Sequence, residues 1–252
     1  MLEGRERDME KSYTETFALR TGMCDKSGRW KPSAVLESMQ ETATEHCKQL
    51  GLPRAFTDSL GIIWVLSRSR VVLRRAPRLG EVISVETWPL PPKHLFYPRI
   101  NAFRDAAGEV IGEASSLWLL MDVENRRAVT SDAVLARLPE NADMPAGILL
   151  GAARPLDGPA VEGAFTPPYA DFDLNGHANN TKYLDWTCSA LGHAAMDRFR
   201  VAEFAVGYER EILPDEEVRT QLVRLDDRFS FCGSGDGKRC FCVAGRLEER
   251  GE

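Results

Sequence analysis

The chain has 252 residues, of which 43% are hydrophobic and 28% charged, with a net charge of -6. This is ordinary globular composition, long enough to bury most of its extended surface without a metal or disulfide staple, and the acidic balance argues against general nucleic-acid binding, which needs a basic surface. No apolar run approaches the ~18 residues of a membrane span, and the N-terminal MLEGRERDMEKSYTE, charged with both signs, lacks the apolar stretch of a secretory signal, so a cytoplasmic protein is expected.

In chain order, SYTETFALRT at 12–21 reads as a strand and CDKSGRWKP as a turn. Pro32 and Ser33 then open a helix reaching Leu50, with Leu36, Met39, Ala43, Cys47 and Leu50 on one face at steps of three and four. Gly51 and Pro53 end it. Strands are predicted at about 62–75, 81–90, 95–105 and 109–123. Residues 133–162, rich in Pro, Gly and Ala, read as a linker between a first domain at 1–132 and a second at 163–252. The second domain repeats the pattern: a strand near 163, the turn DLNGH, a helix at 178–198, and strands at 203–213, 216–228, 229–233 and 238–248.

Asp25, Gly28 and Arg29 stand 148 residues before Asp173, Gly176 and His177, each set between a first strand and a main helix. A long helix followed by a meander of strands buries its apolar face when the sheet curls around it. The expected fold is therefore α+β, a tandem or double hot-dog, each half an antiparallel sheet wrapped around a central helix. The six cysteines show neither C-x-x-C nor zinc spacing, so reduced thiols are expected, with Cys240 and Cys242 on one strand face. No metal or other cofactor is implied.

The informative stretch runs from Asp171 to Tyr183. Asp173, Asn175 and His177 recur at every second residue and would share one side if the stretch is extended. They precede a helix N-terminus, whose free amides favour negative charge. A thioester carbonyl placed there could develop an oxyanion held by those amides. In isolation Asp173 and Asn175 also read as turn formers and caps, but a cap needs one such residue and not three.

The stretch D-F-D-L-N-G-H-A-N-N-x-K-Y resembles the second half of the acyl-acyl carrier protein thioesterases, and Gly207-Tyr208-Glu209-Arg210-Glu211 is similar to that family's Tyr-Arg-Arg-Glu-Cys stretch. LESMQETATEH and GIIWVLSRSRV resemble its first half, so the likeness spans about residues 12–248. The resemblance implies a catalytic network of Asp173, Asn175, His177 and Glu211, an acyl tail held by the first half, and hydrolysis of fatty acyl thioesters of a phosphopantetheine-bearing acyl carrier protein. The cysteine often found after the glutamate is Ile212 here, which removes a thiol mechanism through that position and leaves carboxylate-assisted attack by water, with Glu211 or Asp173 as base. Asn179 and Asn180 are further candidates for substrate contact, and Arg74 and Arg75 for recognition of the acidic carrier. Arg75 is aligned with Glu211 and Arg29 with His177, so one active site per chain, as a monomer or homodimer, is expected. The competing readings are a coenzyme A thioesterase, a hot-dog enoyl hydratase, whose D-x-N-P-x-H spacing this chain does not match, and a non-catalytic acyl-thioester sensor.

Overall fold

The computed structural model describes residues 10–250, and most of the charged N-terminal run lies outside them. The elements are β1 (Tyr13–Ala18), α1 (Pro32–Gln49), α2 (Arg54–Ser59), β2 (Ile62–Leu73), β3 (Val82–Pro89), β4 (Phe96–Asp105), β5 (Val110–Asp122), β6 (Arg127–Val129) and α3 (Asp132–Leu135). After residues 136–159 come β7 (Ala160–Phe165), α4 (Lys182–Leu191), α5 (His193–Arg198), β8 (Phe199–Tyr208), β9 (Val218–Leu225), β10 (Arg228–Gly235) and β11 (Lys238–Glu249). None of these helices is long and apolar enough to cross a membrane.

The strands form one antiparallel sheet in the order β1-β3-β4-β5-β2-β8-β11-β10-β9-β7, with β6 beside β5. Each half has the same internal order, and β2 pairs with β8 from Arg68↔Gly207 to Val72↔Glu203 to make the two half-sheets continuous. The halves therefore share a central seam.

Pro32 starts α1 at a position where its missing N–H is not needed. Leu36, Met39 and Ala43 are buried as their spacing predicts. Gly51 leaves the helix at φ 72, a conformation that side chains with a Cβ rarely adopt. The core lies between the helices and the sheet: Val35 and Leu36 of α1 and Tyr183 and Leu184 of α4 pack with Phe103, Phe204, Phe229 and Phe241 of the strands. The helices touch each other, and Ser33 Oγ donates to Asp185 Oδ1 at 2.5 Å.

The second helix differs from the continuous 178–198 segment expected. Gly192 at φ 83 ends α4, its N–H bonding to Cys188 O, and α5 begins at the next residue. Residues 136–159 carry no regular element but run as a strap over both half-sheets. Asn141 Nδ2 donates to Lys11 O and Pro89 O, Ser115 Oγ to Ile148 O, Arg70 Nη1 to Leu149 O, and the Leu156 amide to Ser230 Oγ.

Two cysteine expectations change. Cys232 and Cys242 face each other across β10 and β11 and form a disulfide. Strand register makes this pair, so no sequence motif announces it. Cys240 and Cys242 do not share a face, because a bulge opposite Gly233/Ser234 breaks the alternation. Cys240 joins the main core, whereas Cys242 packs with Cys232 and Ala153.

Candidate active site

Asp173, Asn175 and His177 lie in a tight turn and not in an extended segment. Gly176 N–H donates to Asp173 O, Asp173 N–H to His177 O, and Asn175 N–H to Asp173 Oδ1 at 2.8 Å. Gly176 takes φ 76, as this turn requires. Every one of these bonds has a counterpart in the first half: Gly28 N–H to Asp25 O, Asp25 N–H to Arg29 O, Ser27 N–H to Asp25 Oδ1, and Gly28 at φ 71. The 148-residue repeat is thus a repeat of backbone geometry. Asp173 builds the turn as Asp25 does. In addition its Oδ2 lies 3.4 Å from Asn175 Nδ2 and orients that carboxamide.

Glu211 arrives from a different element. After β8 the amides of Glu209 and Arg210 both donate to Cys240 O at the bulge, which turns the chain out of the sheet. Arg210 then pairs with Glu216, and Ile212 is fully buried with its carbonyl accepting from the Ala178 amide. Glu211 is held between these two anchors. The first half repeats the path: Arg74 and Arg75 amides donate to Ile111 O, Arg75 pairs with Glu81, and the Trp30 amide donates to Pro77 O. These equivalences align Arg75 with Arg210 and Ala76 with Glu211, one residue away from the alignment read in the sequence. The correction removes any titratable side chain from the position matching Glu211.

The imidazole and the carboxylate meet, with His177 Nε2 3.3 Å from Glu211 Oε2. A residue that the sequence did not suggest completes the contact. Arg126, in the turn between β5 and β6 of the first half, places Nη2 2.6 Å from the same Oε2. Arg126 has φ 49, a left-handed value uncommon for a residue with a Cβ. With Oε2 occupied from two sides, Oε1 of Glu211 accepts no hydrogen bond among the described residues.

The helix-start amides expected to face an oxyanion are largely engaged. Ala178 N–H donates to Ile212 O, Asn179 N–H to Asp171 O, Thr181 N–H to Asn179 Oδ1 and Lys182 N–H to Asn179 O. Asn179 caps the turn before α4, so its side chain is structural. Asn180 accepts from the Tyr208 hydroxyl through its carbonyl, and its side reaches the interior of the first half. Arg74 and Arg75 do not join the site. They follow the far end of β2, roughly 35 Å along the strand from Ile63 and Trp64, and are paired with Glu113, Glu81 and Asp105. Burial pushes the Cys188 thiol up to about 12, with the nearby Asp185 adding to the effect, so it is no nucleophile at neutral pH.

A cavity of about 380 Å³ opens beside this site. Its walls come from the first half, including Ala43, Cys47, Trp64, Tyr97 and Trp118, and its rim includes Leu174 and Asn175 of the second. The volume lies in the range of small-molecule sites, roughly 300–1,000 Å³. The Asp173–His177 turn therefore stands at the mouth of an interior space supplied by the other half. Among the described residues no cluster could hold a metal ion.

Comparison with known proteins agrees in both sequence and fold. Residues 10–136 match the family model for the acyl-ACP thioesterase N-terminal domain and residues 158–232 that for the C-terminal domain. The chain is 29% identical over 225 residues to the chloroplastic palmitoyl-acyl carrier protein thioesterase of Arabidopsis thaliana, covering 79% of this chain and 52% of that protein. It is 26% identical over 229 residues to a chloroplastic dodecanoyl-acyl carrier protein hydrolase of Cinnamomum camphora, covering 82% and 58%. The chain thus spans a little over half the length of these relatives. In fold it is similar to the 12:0-ACP thioesterase of Umbellularia californica, with a TM-score of 0.84 at 23% identity over 96% of this chain and 98% of that one. A Bacteroides thetaiotaomicron acyl-ACP thioesterase gives a TM-score of 0.79 at 22% identity, over 94% and 98%.

Proposed function

The chain belongs to the acyl-ACP thioesterase family, and from that premise we propose that it hydrolyses fatty acyl thioesters of acyl carrier protein to the free acid and the carrier thiol. One observation carries the reading: a carboxylate with one oxygen held by Arg126 and His177 and the other open, beside the mouth of a cavity large enough for an acyl tail.

In this mechanism Glu211 is the general base. Its Oε1 takes a proton from water as the water oxygen bonds to the thioester carbonyl carbon, a role typically worth about 10²–10⁴ in rate. With Nε2 protonated, His177 donates to Oε2, and Arg126 fixes the same oxygen. The Asn175 carboxamide, oriented by Asp173 at the cavity rim, donates to the carbonyl oxygen as it becomes an oxyanion. Collapse of the tetrahedral intermediate breaks the carbon–sulfur bond, and the proton held by Glu211 passes to the departing sulfur. The first half contributes the acyl cavity and Arg126 but no second site, since Arg29 and Ala76 replace the imidazole and the carboxylate.

Free-thiol release by the purified protein, compared on acyl-acyl carrier protein, acyl-coenzyme A and an enoyl thioester, tests this. The proposal expects the highest kcat/KM on the carrier-bound substrate and no hydration of the enoyl group. Hydration, or tight binding without thiol release, overturns it, and equal or better turnover of acyl-coenzyme A reassigns the carrier.

A further inference from the structure

The interior of the first half carries more polar groups than a hydrocarbon tail can satisfy. Arg99 of β4 is only 7% exposed and forms part of the cavity wall. Its Nη1 donates to His46 Nδ1 at 3.2 Å and to Thr87 Oγ1 at 3.3 Å, and its Nη2 to Cys47 Sγ at 3.6 Å. None of these partners is a carboxylate. A guanidinium does not shed its proton in a protein, so the interior holds a cation with no facing anion among the described residues.

Three further donors nearby have no partner among the described residues: Ser69 Oγ, Asn101 Nδ2 and Trp64 Nε1. Ser69 and Asn101 are each 1% exposed. Together with Arg99, Ser116 and Asn180 they line a niche of about 10 Å³ that shares Gln40, Ala43, Arg99 and Trp118 with the larger cavity. A space of this size admits about one water-sized oxygen. Unpartnered donors this deep are rare, because each has lost its hydration and gained nothing. Asn101 Nδ2, Trp64 Nε1 and the guanidinium can only donate, so the complementary ligand atom is an acceptor.

We propose that the cavity selects an acyl chain bearing an acceptor oxygen (oxo, hydroxyl or carboxylate) on a carbon remote from the thioester, seated among Arg99, Asn101 and Ser69. This rests on the thioester-hydrolase reading and names its substrate class. An unsubstituted chain leaves the donors unpaired, and sites built to hydrogen-bond a polar group discriminate strongly against analogues that lack it.

The test uses the whole chain and acyl-pantetheine thioesters of a single chain length: the unsubstituted acyl group, positional hydroxy and oxo isomers, and the ω-carboxyl form. The expected result is a kcat/KM for the best oxygenated isomer at least about ten-fold above the unsubstituted chain. Asn101→Leu and Ser69→Ala, each checked for an unchanged melting profile, should bring that ratio toward one. A leading ω-carboxyl form would assign the charge of Arg99 as the recognising feature, and a leading hydroxy or oxo form the neutral donors. An unsubstituted chain turned over as well as every oxygenated one overturns the proposal and leaves the niche to a water molecule. If no thioester is turned over, the hydrolase reading fails separately. Calorimetric binding of the matching non-hydrolysable thioethers then decides the inference, with equal affinities overturning it.

Discussion

Replacing Arg126 with Ala tests the contact that joins the two halves at the site. The Arg126–Glu211 pair is 2.6 Å long but exposed, with 63% of the arginine side chain and 33% of the glutamate accessible. Exposed pairs contribute about 0–1 kcal/mol to stability, so the melting temperature should fall by no more than about 4 °C. The kinetic effect should be much larger. Without Arg126, Glu211 Oε2 retains only the 3.3 Å approach of His177, which is long for a hydrogen bond. A catalytic group displaced by about 1 Å can lose roughly 10²-fold in rate, so kcat should drop by about 10- to 100-fold. Thiol release from a short acyl-pantetheine thioester measures this without carrier docking, and KM should be little changed. Arg126→Lys should recover part of the loss, since it keeps the charge but not the planar fork. A kcat for Arg126→Ala within about twofold of the parent protein, at unchanged stability, would refute the positioning role.

Three other outcomes are expected. Burial, reinforced by the charge of Arg99, pulls the fully buried His46 down to about 4. The folded protein then binds fewer protons than the unfolded chain between pH 6.5 and 4, so stability present at neutral pH is lost as pH falls through that window, by up to roughly 3 kcal/mol. Urea unfolding at several pH values should show a shallower loss for His46→Gln, and identical profiles would contradict the assignment. Ala43→Phe fills part of the cavity wall and should shorten the preferred acyl chain, at up to about 0.8 kcal/mol for each methylene excluded; an unchanged chain-length profile in thiol release would place the tail elsewhere. Asp173→Asn keeps an acceptor for the Asn175 amide but turns an NH₂ toward the Asn175 carboxamide. It should lower kcat by about 10²–10³, the scale of losing one oxyanion donor, and unaltered turnover would remove Asn175 from that role.

Much of the fold was legible because its signals are local. The α1 face, the strands of the first half and the D-x-x-G turns each declare themselves within a few residues. The turn geometry is local too, since the first half carries the same Asp and Gly at the same spacing, and a period-two pattern of polar residues does not distinguish a tight turn from an extended chain. Other features depend on contacts between distant segments. Arg126 meets Glu211 across 85 positions of sequence and belongs to the half that has Arg29 and Ala76 where the other has His177 and Glu211. The alignment of Arg75 with Glu211 is off by one residue because post-helix loops of unequal length leave the register undetermined until two bulges are matched, Ile111 being skipped in the pairing of β4 with β5 and Cys240 in that of β10 with β11. The Cys232–Cys242 pair follows from the register of β10 against β11. Family likeness alone links His177 with Glu211 in the sequence, and the bulge that brings them together is a tertiary feature.

The base assigned to Glu211 is tested most directly by single-turnover hydrolysis in Glu211→Gln. Gln keeps the shape of the side chain and an oxygen for Arg126 and His177, and loses only the basicity. With the fold confirmed by an unchanged circular dichroism spectrum and melting profile, the chemical step should slow by about 10²–10⁴, equivalent to roughly 3–5 kcal/mol of barrier. A chemical step at nearly the parent rate would show that another group activates the water.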